Sequence, residues 1–304
     1  LKEKDNFVEV DCPACGAEDR GFEFHKYGFK HVKCYSCKTM YVSPRPIEEK
    51  LFEYYSEYEA PKSWTRLLIQ TDSVRKKLQH KPRVKKLSEL LEASQNKREY
   101  FIDLGSGTGN FAKAVEEAKI FKHVIACDIS EDCIKMCKEK NLETFLGFID
   151  DLKDESFDCI TFNDLIEHVF SPFNFLNRCS SKMRQNGILM ISTPNGEGFD
   201  FKVLKEETQN ITPPEHIQYF NPHSIEIMLN RTGFKVIEVS TPGILDVQIV
   251  KRLINNKIID LKEKNEFLDY LYSLGNDEME NSFQDFLSQC NLSSHMLIFA
   301  EKLS

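Results

Sequence analysis

The chain has 304 residues, 41 % of them apolar, and a formal net charge of −8. That is enough for one substantial core and about two domains. The negative field repels polyanions and weighs against nucleic acid as a partner. No stretch reaches the roughly 18 unbroken apolar residues that a membrane-spanning helix needs. The opening LKEKDNFVEV has no apolar signal region. Six of the ten cysteines (Cys127, Cys133, Cys137, Cys159, Cys179, Cys290) are scattered through helical or strand-like text, as in a reducing compartment. A cytoplasmic protein is expected.

Residues 1–45 read as short strands with turn signals at Pro13, Gly16 and Gly28, and Ser43-Pro-Arg-Pro46 closes the segment. Within it stand two CxxC pairs, Cys12-Pro-Ala-Cys15 and Cys34-Tyr-Ser-Cys37. Two such knuckles complete a tetrahedral Cys₄ zinc site, closed and therefore structural. A redox dithiol would instead use a single CxxC at the start of a helix. The module is too short to fold on its own core, so metal loss should harm it more than residues 100–304.

Residues 46–98 are helical text, a linker or cap. Leu51, Tyr54, Tyr55 and Tyr58, then Leu67, Leu68, Val74, Leu78, Val84, Leu87, Leu90 and Leu91 recur at helical spacing, with breaks expected at Pro61 and Pro82. The basic run Arg75-Lys-Lys77, Lys81, Arg83, Lys85, Lys86 reads as a solvated helix face, or more sharply as a seat for a phosphate-bearing substrate.

From 99 to 304 strands and helices alternate, as in a parallel sheet with crossover helices. YFIDLG, HVIACD, ETFLGF, FDCITFND, GILMISTP, FKVIEVSTP and HMLIFAEKL are the strands; NFAKAVEEAK, EDCIKMCKEK, FSPFNFLNRCSSKM and FNPHSIEIMLNRTG are the helices, the last capped by Asn221. A helical insertion occupies about 244–292.

Asp103-Leu-Gly105-Ser-Gly107-Thr-Gly109 follows the first strand and opens a helix. Alternate glycines let the backbone turn tightly against a ligand, and the helix start presents free N–H groups. Asn110 stands where a dinucleotide fingerprint has its third glycine, so the NAD spacing fails. Asp103 suits a cationic ligand, and Asp128, ending the second strand, suits ribose hydroxyls.

These residues resemble the first two motifs of class I S-adenosylmethionine methyltransferases. Asn163-Asp-Leu-Ile-Glu167-His168 and GILMISTPNGEG resemble the family's fourth- and fifth-strand segments. The resemblance implies a Rossmann-like seven-stranded sheet with helices on both faces, and S-adenosylmethionine as cofactor. Asp103, Gly105, Gly107 and Gly109 would hold its methionine end and Asp128 its ribose. Phe148 and Ile149 would flank the adenine, Ile129 would also contact the cofactor, and Asn163 would line the floor near the sulfonium. CPACG, CYSCKTMYVSPRPIEEKLFEYYSEYE and PPEHIQYFNPHSIEIMLNRTGF in one chain are similar to a bacterial sugar (C-)methyltransferase, methyltransferase-23-like subfamily. That implies a small-molecule acceptor, a sugar nucleotide or polysaccharide precursor. An RNA methyltransferase using the zinc module to hold its substrate, and a non-catalytic scaffold, are the competing readings.

Methyl transfer needs positioning and, for an oxygen or carbon acceptor, a base. His216, beside Glu215 in a prolyl-stiffened loop after the fifth strand, is the first candidate, with Glu215 to orient it; His168 is the second. His168 equally suits a role satisfying backbone groups. Tyr219 and Phe220 read as packing residues, as do His25, His31, His80, His123, His223 and His295 as packing or surface residues.

Overall fold

In the computed structural model the described residues are 6–57, 73–93, 97–256 and 265–303. The sequence expectations for Tyr58, Pro61, Leu67 and Leu68 lie outside them.

The N-terminal segment is a ribbon: β1 (Phe7–Val8), β2 (Arg20–Lys26), β3 (Phe29–Cys34), β4 (Met40–Val42) and β5 (Arg45–Pro46). Tyr27 and Gly28 join β2 to β3 with both φ angles positive, 50° and 83°, which matches the right-handed twist of a tight hairpin. Pro46, which cannot donate a ladder bond, sits in the two-residue β1–β5 pair rather than in a central strand. Helix α1 (Glu48–Glu57) follows. A π-helical turn at Lys76–His80 then runs directly into α2 (Lys81–Ala93). Pro82 is thus no break. The wider preceding turn accommodates a residue that has no N–H to donate.

The second region contains β6 (Tyr100–Leu104), α3 (Asn110–Ala118), β7 (His123–Asp128), α4 (Glu131–Glu139), β8 (Glu143–Leu146), β9 (Phe157–Asn163), α5 (Pro172–Lys182) and β10 (Met183–Pro194). It continues with α6 (Phe199–Leu204), β11 (Gln218–Tyr219), α7 (Pro222–Arg231), β12 (Phe234–Ser240), α8 (Asp246–Asn255), α9 (Glu266–Ser273), α10 (Asp277–Gln289) and β13 (His295–Lys302). Seven strands form one sheet in the order β12-β13-β10-β9-β6-β7-β8. Only β13 runs antiparallel to its neighbours. Chain order reverses between β6 and β9, so the crevice at their carboxyl ends is where such a sheet binds ligands.

The central strand β9 is buried on both faces from Phe157 to Phe162, which is why it reads as a continuous apolar run. One face of the sheet packs on α2, α3 and α4 through Leu87, Leu91, Phe111, Val115 and Phe299. The other packs on α5 and α7 through Leu176, Ile225 and Met228. The insertion helices α8–α10 have a smaller core of their own, where Val250, Leu253, Leu268 and Leu287 meet Phe199 and Leu204 of α6. Among the described residues no helix is long and apolar enough to cross a membrane.

The ribbon is not a detached module. Its sheet takes a fourth strand from the second region, in the order β11-β4-β3-β2. Cys12, Ala14, Val32, Cys34 and Tyr41 belong to the same continuous core as the large sheet. Asn221, which caps α7, also donates to the Cys37 carbonyl at 2.9 Å. Arg231 donates to the Ala14 carbonyl at 2.6 Å. Buried Arg45 reaches Gln218 and the Phe170 carbonyl, both at 3.0 Å.

Candidate active site

The carboxyl ends of β6, β7 and β9 supply three polar side chains. Strand register sets Asp103 opposite Thr161, and Asp103 Oδ1 accepts from Thr161 Oγ1 at 2.7 Å and from Asn163 Nδ2 at 3.3 Å. Burial pushes the Asp103 carboxyl up to about 7, against the pull of these bonds. Asp128 accepts from the Gly107 N–H at 2.8 Å and the Ser130 N–H at 2.9 Å. The glycine loop and the ribose-type carboxylate are therefore one hydrogen-bonded unit. Burial raises the Asp128 carboxyl as well.

The glycines divide by cause. Gly105, Gly107 and Gly109 all have positive φ, at 65°, 53° and 74°. A Cβ on Gly109 would stand 2.7 Å from Cys137 Sγ and 3.0 Å from Leu142, so packing of α4 also demands glycine there. The adenine residues divide too. Ile129 and Phe148 are apolar yet 48 % and 46 % exposed, and Phe148 meets the Phe52 ring edge-on at 5.5 Å. Ile149 is buried in the main core. The 3₁₀ turn that begins there buries its side chain.

Two basic residues read as solvated are turned into the site. Arg83 on α2 is buried and donates to Asn163 Oδ1 at 2.7 Å. Arg75 lies 3.8 Å from Asp164, and His295 Nε2 lies 2.7 Å from the same carboxylate. Burial alone would raise Asp164, but His295 and the two arginines hold it well below the usual carboxylate range. Asp164 is itself left-handed, φ 54°, a conformation that Asp tolerates at functional turns. His295 starts β13, far along the chain, and no local motif marks it.

Glu167, His168 and His216 come together above β9 and β10. Their candidate ligand atoms all lie within 4.8 Å of one another, and the two imidazole rings are 4.7 Å apart at 75°. His216 Nδ1 lies 2.7 Å from the Asn210 carbonyl. A carbonyl only accepts, so Nδ1 carries the proton and Nε2 keeps its lone pair. Asn210 is fixed in turn by Asp200, which accepts from Asn210 Nδ2 at 2.8 Å and Thr208 Oγ1 at 2.7 Å. The expectation that Glu215 orients His216 is therefore corrected. The Glu215 carboxylate accepts from Tyr54 at 3.1 Å, while its carbonyl lies 3.0 Å from His168 Nδ1. Burial lowers both imidazoles, His168 to about 3, and pushes Glu167 well above the carboxylate range. Tyr219 and Phe220 are buried packing residues.

In the ribbon, Cys12 and Cys37 sulfurs are 3.4 Å apart and Cys15 and Cys34 sulfurs 3.5 Å, and all four lie within 4.8 Å. Zinc–sulfur bonds of about 2.3 Å imply tetrahedral edges of about 3.8 Å, so the spacing fits a zinc ion. A hydrogen bond from Cys12 holds Cys37 down to about 4 as a thiolate. The Cys37 N–H also points at Cys34 Sγ, at 3.5 Å.

A glycine loop after the first strand of a Rossmann-like sheet, tied to a carboxylate on the second, defines a class of α/β proteins that bind a nucleoside-bearing cofactor. Residues 74–239, more than half of the 304, match the model of the methyltransferase domain. The chain belongs to that methyltransferase-domain family. It is 30 % identical over 123 residues to the mitochondrial ubiquinone biosynthesis O-methyltransferase of Saccharomyces cerevisiae, covering 36 % of this chain and 39 % of that protein. A ubiquinone biosynthesis O-methyltransferase of Xanthomonas campestris is 29 % identical over 103 residues, 31 % of this chain and 42 % of that one. The chain thus spans about two fifths of the length of these curated relatives. The structure of a Haloferax volcanii methyltransferase complex with the Trm112 activator matches with a TM-score of 0.54 at 15 % identity. The match covers 81 % of this chain and 98 % of that one, and the shared fold is the class I methyltransferase sheet.

Proposed function

We propose that this chain transfers a methyl group from S-adenosylmethionine to a small-molecule acceptor seated over Glu167, His168 and His216. The single observation that carries the reading is the pairing of a cation-seeking pocket at Asp103 with bare imidazole nitrogens on the same rim of the sheet. S-adenosylmethionine supplies a methyl group on a cationic sulfur. Asp103, a buried carboxylate with only neutral hydrogen-bond donors, suits the ammonium of the methionine end. Arg83, a buried guanidinium whose hydrogen-bonding partner is a neutral amide oxygen, suits the neighbouring carboxylate. Asp128 keeps free lone pairs for the ribose hydroxyls, and the exposed Ile129 and Phe148 suit the flat face of adenine.

On the acceptor side, His216 offers Nε2 to the acceptor's proton, and His168 stands beside it. Burial lowers both imidazoles, so both rings are neutral at ordinary pH and keep a lone pair. The wider resemblance of the chain favours a sugar nucleotide as acceptor. The O-methyltransferase relatives favour a hydroxyl as the methylated group. A structural zinc in the Cys₄ cluster and a cytoplasmic setting complete the reading.

The test pairs calorimetry with turnover. S-adenosylmethionine should bind with micromolar affinity and NAD should not bind. A panel of nucleotide sugars and dihydroxyaromatics should include one acceptor that yields S-adenosylhomocysteine in stoichiometry with methylated product. Failure of S-adenosylmethionine to bind the folded protein would overturn the assignment.

A further inference from the structure

We infer that Glu167, His168 and His216 form a second metal site, one that holds a divalent transition-metal ion with open positions facing the acceptor. The inference deepens the methyltransferase reading, on which only the role of the ion rests, and with the ion bound the two imidazoles act as its ligands in place of free bases.

Three observations carry it. First, Glu167 is fully buried, and its Oε1 has no hydrogen-bond partner among the described residues. An unpaired buried carboxylate oxygen is costly and needs a cation or a donor. Second, a Glu167 carboxylate oxygen and one imidazole nitrogen from each histidine all lie within 4.8 Å of one another. Metal bonds of about 2.1 Å in a tetrahedral site put ligand atoms about 3.4 Å apart, so side-chain rotation closes the set on an ion.

Third, each member is oriented through the atom it does not offer. Thr193 Oγ1 donates to Glu167 Oε2 at 2.9 Å. The Asn210 carbonyl accepts from His216 Nδ1 at 2.7 Å, and the Glu215 carbonyl from His168 Nδ1 at 3.0 Å, with the Tyr55 hydroxyl 2.8 Å away. That leaves Oε1 and the two Nε2 atoms without a hydrogen-bond partner among the described residues, the outer-partner pattern that fixes metal ligands.

Two imidazoles and one carboxylate are the ligand set of open transition-metal sites, in contrast to a closed four-thiolate set. Glu167 is buried and both histidines are partly exposed, so the open positions face outward, where the acceptor enters. An acceptor hydroxyl bound there loses its proton to solvent more readily. Its oxygen then forms the new O–C bond as the methyl–sulfur bond breaks, and sulfur departs with the electron pair.

The test is metal content by mass spectrometry after dialysis of the full chain against micromolar Zn²⁺, with S-adenosylhomocysteine binding as the check on folding. Glu167→Gln and His216→Asn should each lose one equivalent relative to the parent, while Cys34→Ser should retain that equivalent. His168→Gln is the further variant should Glu167→Gln fail to fold. Co²⁺ loaded in place of Zn²⁺ should lose weak visible bands in Glu167→Gln while the intense thiolate bands persist. Unchanged metal content in folded Glu167→Gln and His216→Asn would overturn the site. A parent that methylates at full rate in chelator would overturn the ion's role and leave the methyltransferase reading intact. Metal bound without S-adenosylmethionine binding would do the reverse.

Discussion

Two clusters of metal-type ligands lie on either side of β11, and they differ in how they are built. The cysteine cluster comes from one short stretch, residues 12–37, and all but one of its thiols are buried. Its four like ligands leave no position free. The Glu167–His168–His216 cluster is assembled from the connection between β9 and α5 and the loop between α6 and β11, and it stays partly open. The first arrangement suits stability and the second suits chemistry. They are also mechanically joined. Two residues after His216 the chain enters β11, whose Gln218 and Tyr219 pair with Tyr41 and Met40 of the ribbon. The ribbon is therefore the back wall of the loop that holds the imidazole.

That coupling is most directly broken by removing a thiolate. Cys34→Ser should abolish zinc binding at the Cys₄ cluster, and the lost folding free energy should be on the order of 10 kcal/mol for the ribbon. Hydrogen exchange should accelerate in β2–β4 and also in β11. Turnover should collapse while S-adenosylmethionine binding, which uses β6, β7 and β9, is largely spared. Unchanged turnover in the zinc-free protein would show the two clusters to be independent.

A smaller effect sharpens the other side of the comparison. His216→Asn should cut turnover by about 10² to 10⁴, the usual contribution of a positioned base or its equivalent. Cofactor affinity and ribbon stability should remain at parental levels. If His168→Asn is inactive and His216→Asn is not, the proton is handled on the β9 side of the cluster.

The cofactor rim contributes no ligand to either cluster and serves as their reference. Asp128→Ala should weaken S-adenosylmethionine binding by about 1–3 kcal/mol, from ribose hydroxyls left unpaired. Calorimetry that finds parental affinity would move the ribose contact elsewhere.

The smallest effect is a pH dependence. The Asp103 carboxyl titrates near 7 in the folded protein, raised by burial. A cationic ligand binds the ionised form, so affinity should be level above pH 7. It should fall by up to about tenfold per unit below it. In Asp103→Asn the affinity should be low at every pH and the slope absent; a slope that persists belongs to another group.

Sequence alone was sufficient for everything whose cause is local or periodic. The seven strands, the insertion, the cap at Asn221 and the CxxC pairs follow from residue spacing. So does the glycine loop, because a tight turn beside a strand end has few other solutions. What sequence misjudged is what packing decides. Pro82 sits inside a continuous helical run because a π turn precedes it. Arg83 carries the charge of a surface residue, yet α2 packs it against Asn163. His295 and Asn210 bear no motif; they act through partners distant in sequence, Asp164 and His216. Residue type and spacing thus determined the fold and its cofactor loop. The tertiary structure alone decided which side chains point at one another, since contacts between distant segments depend on how sheets and loops close, and local propensity does not encode that closure.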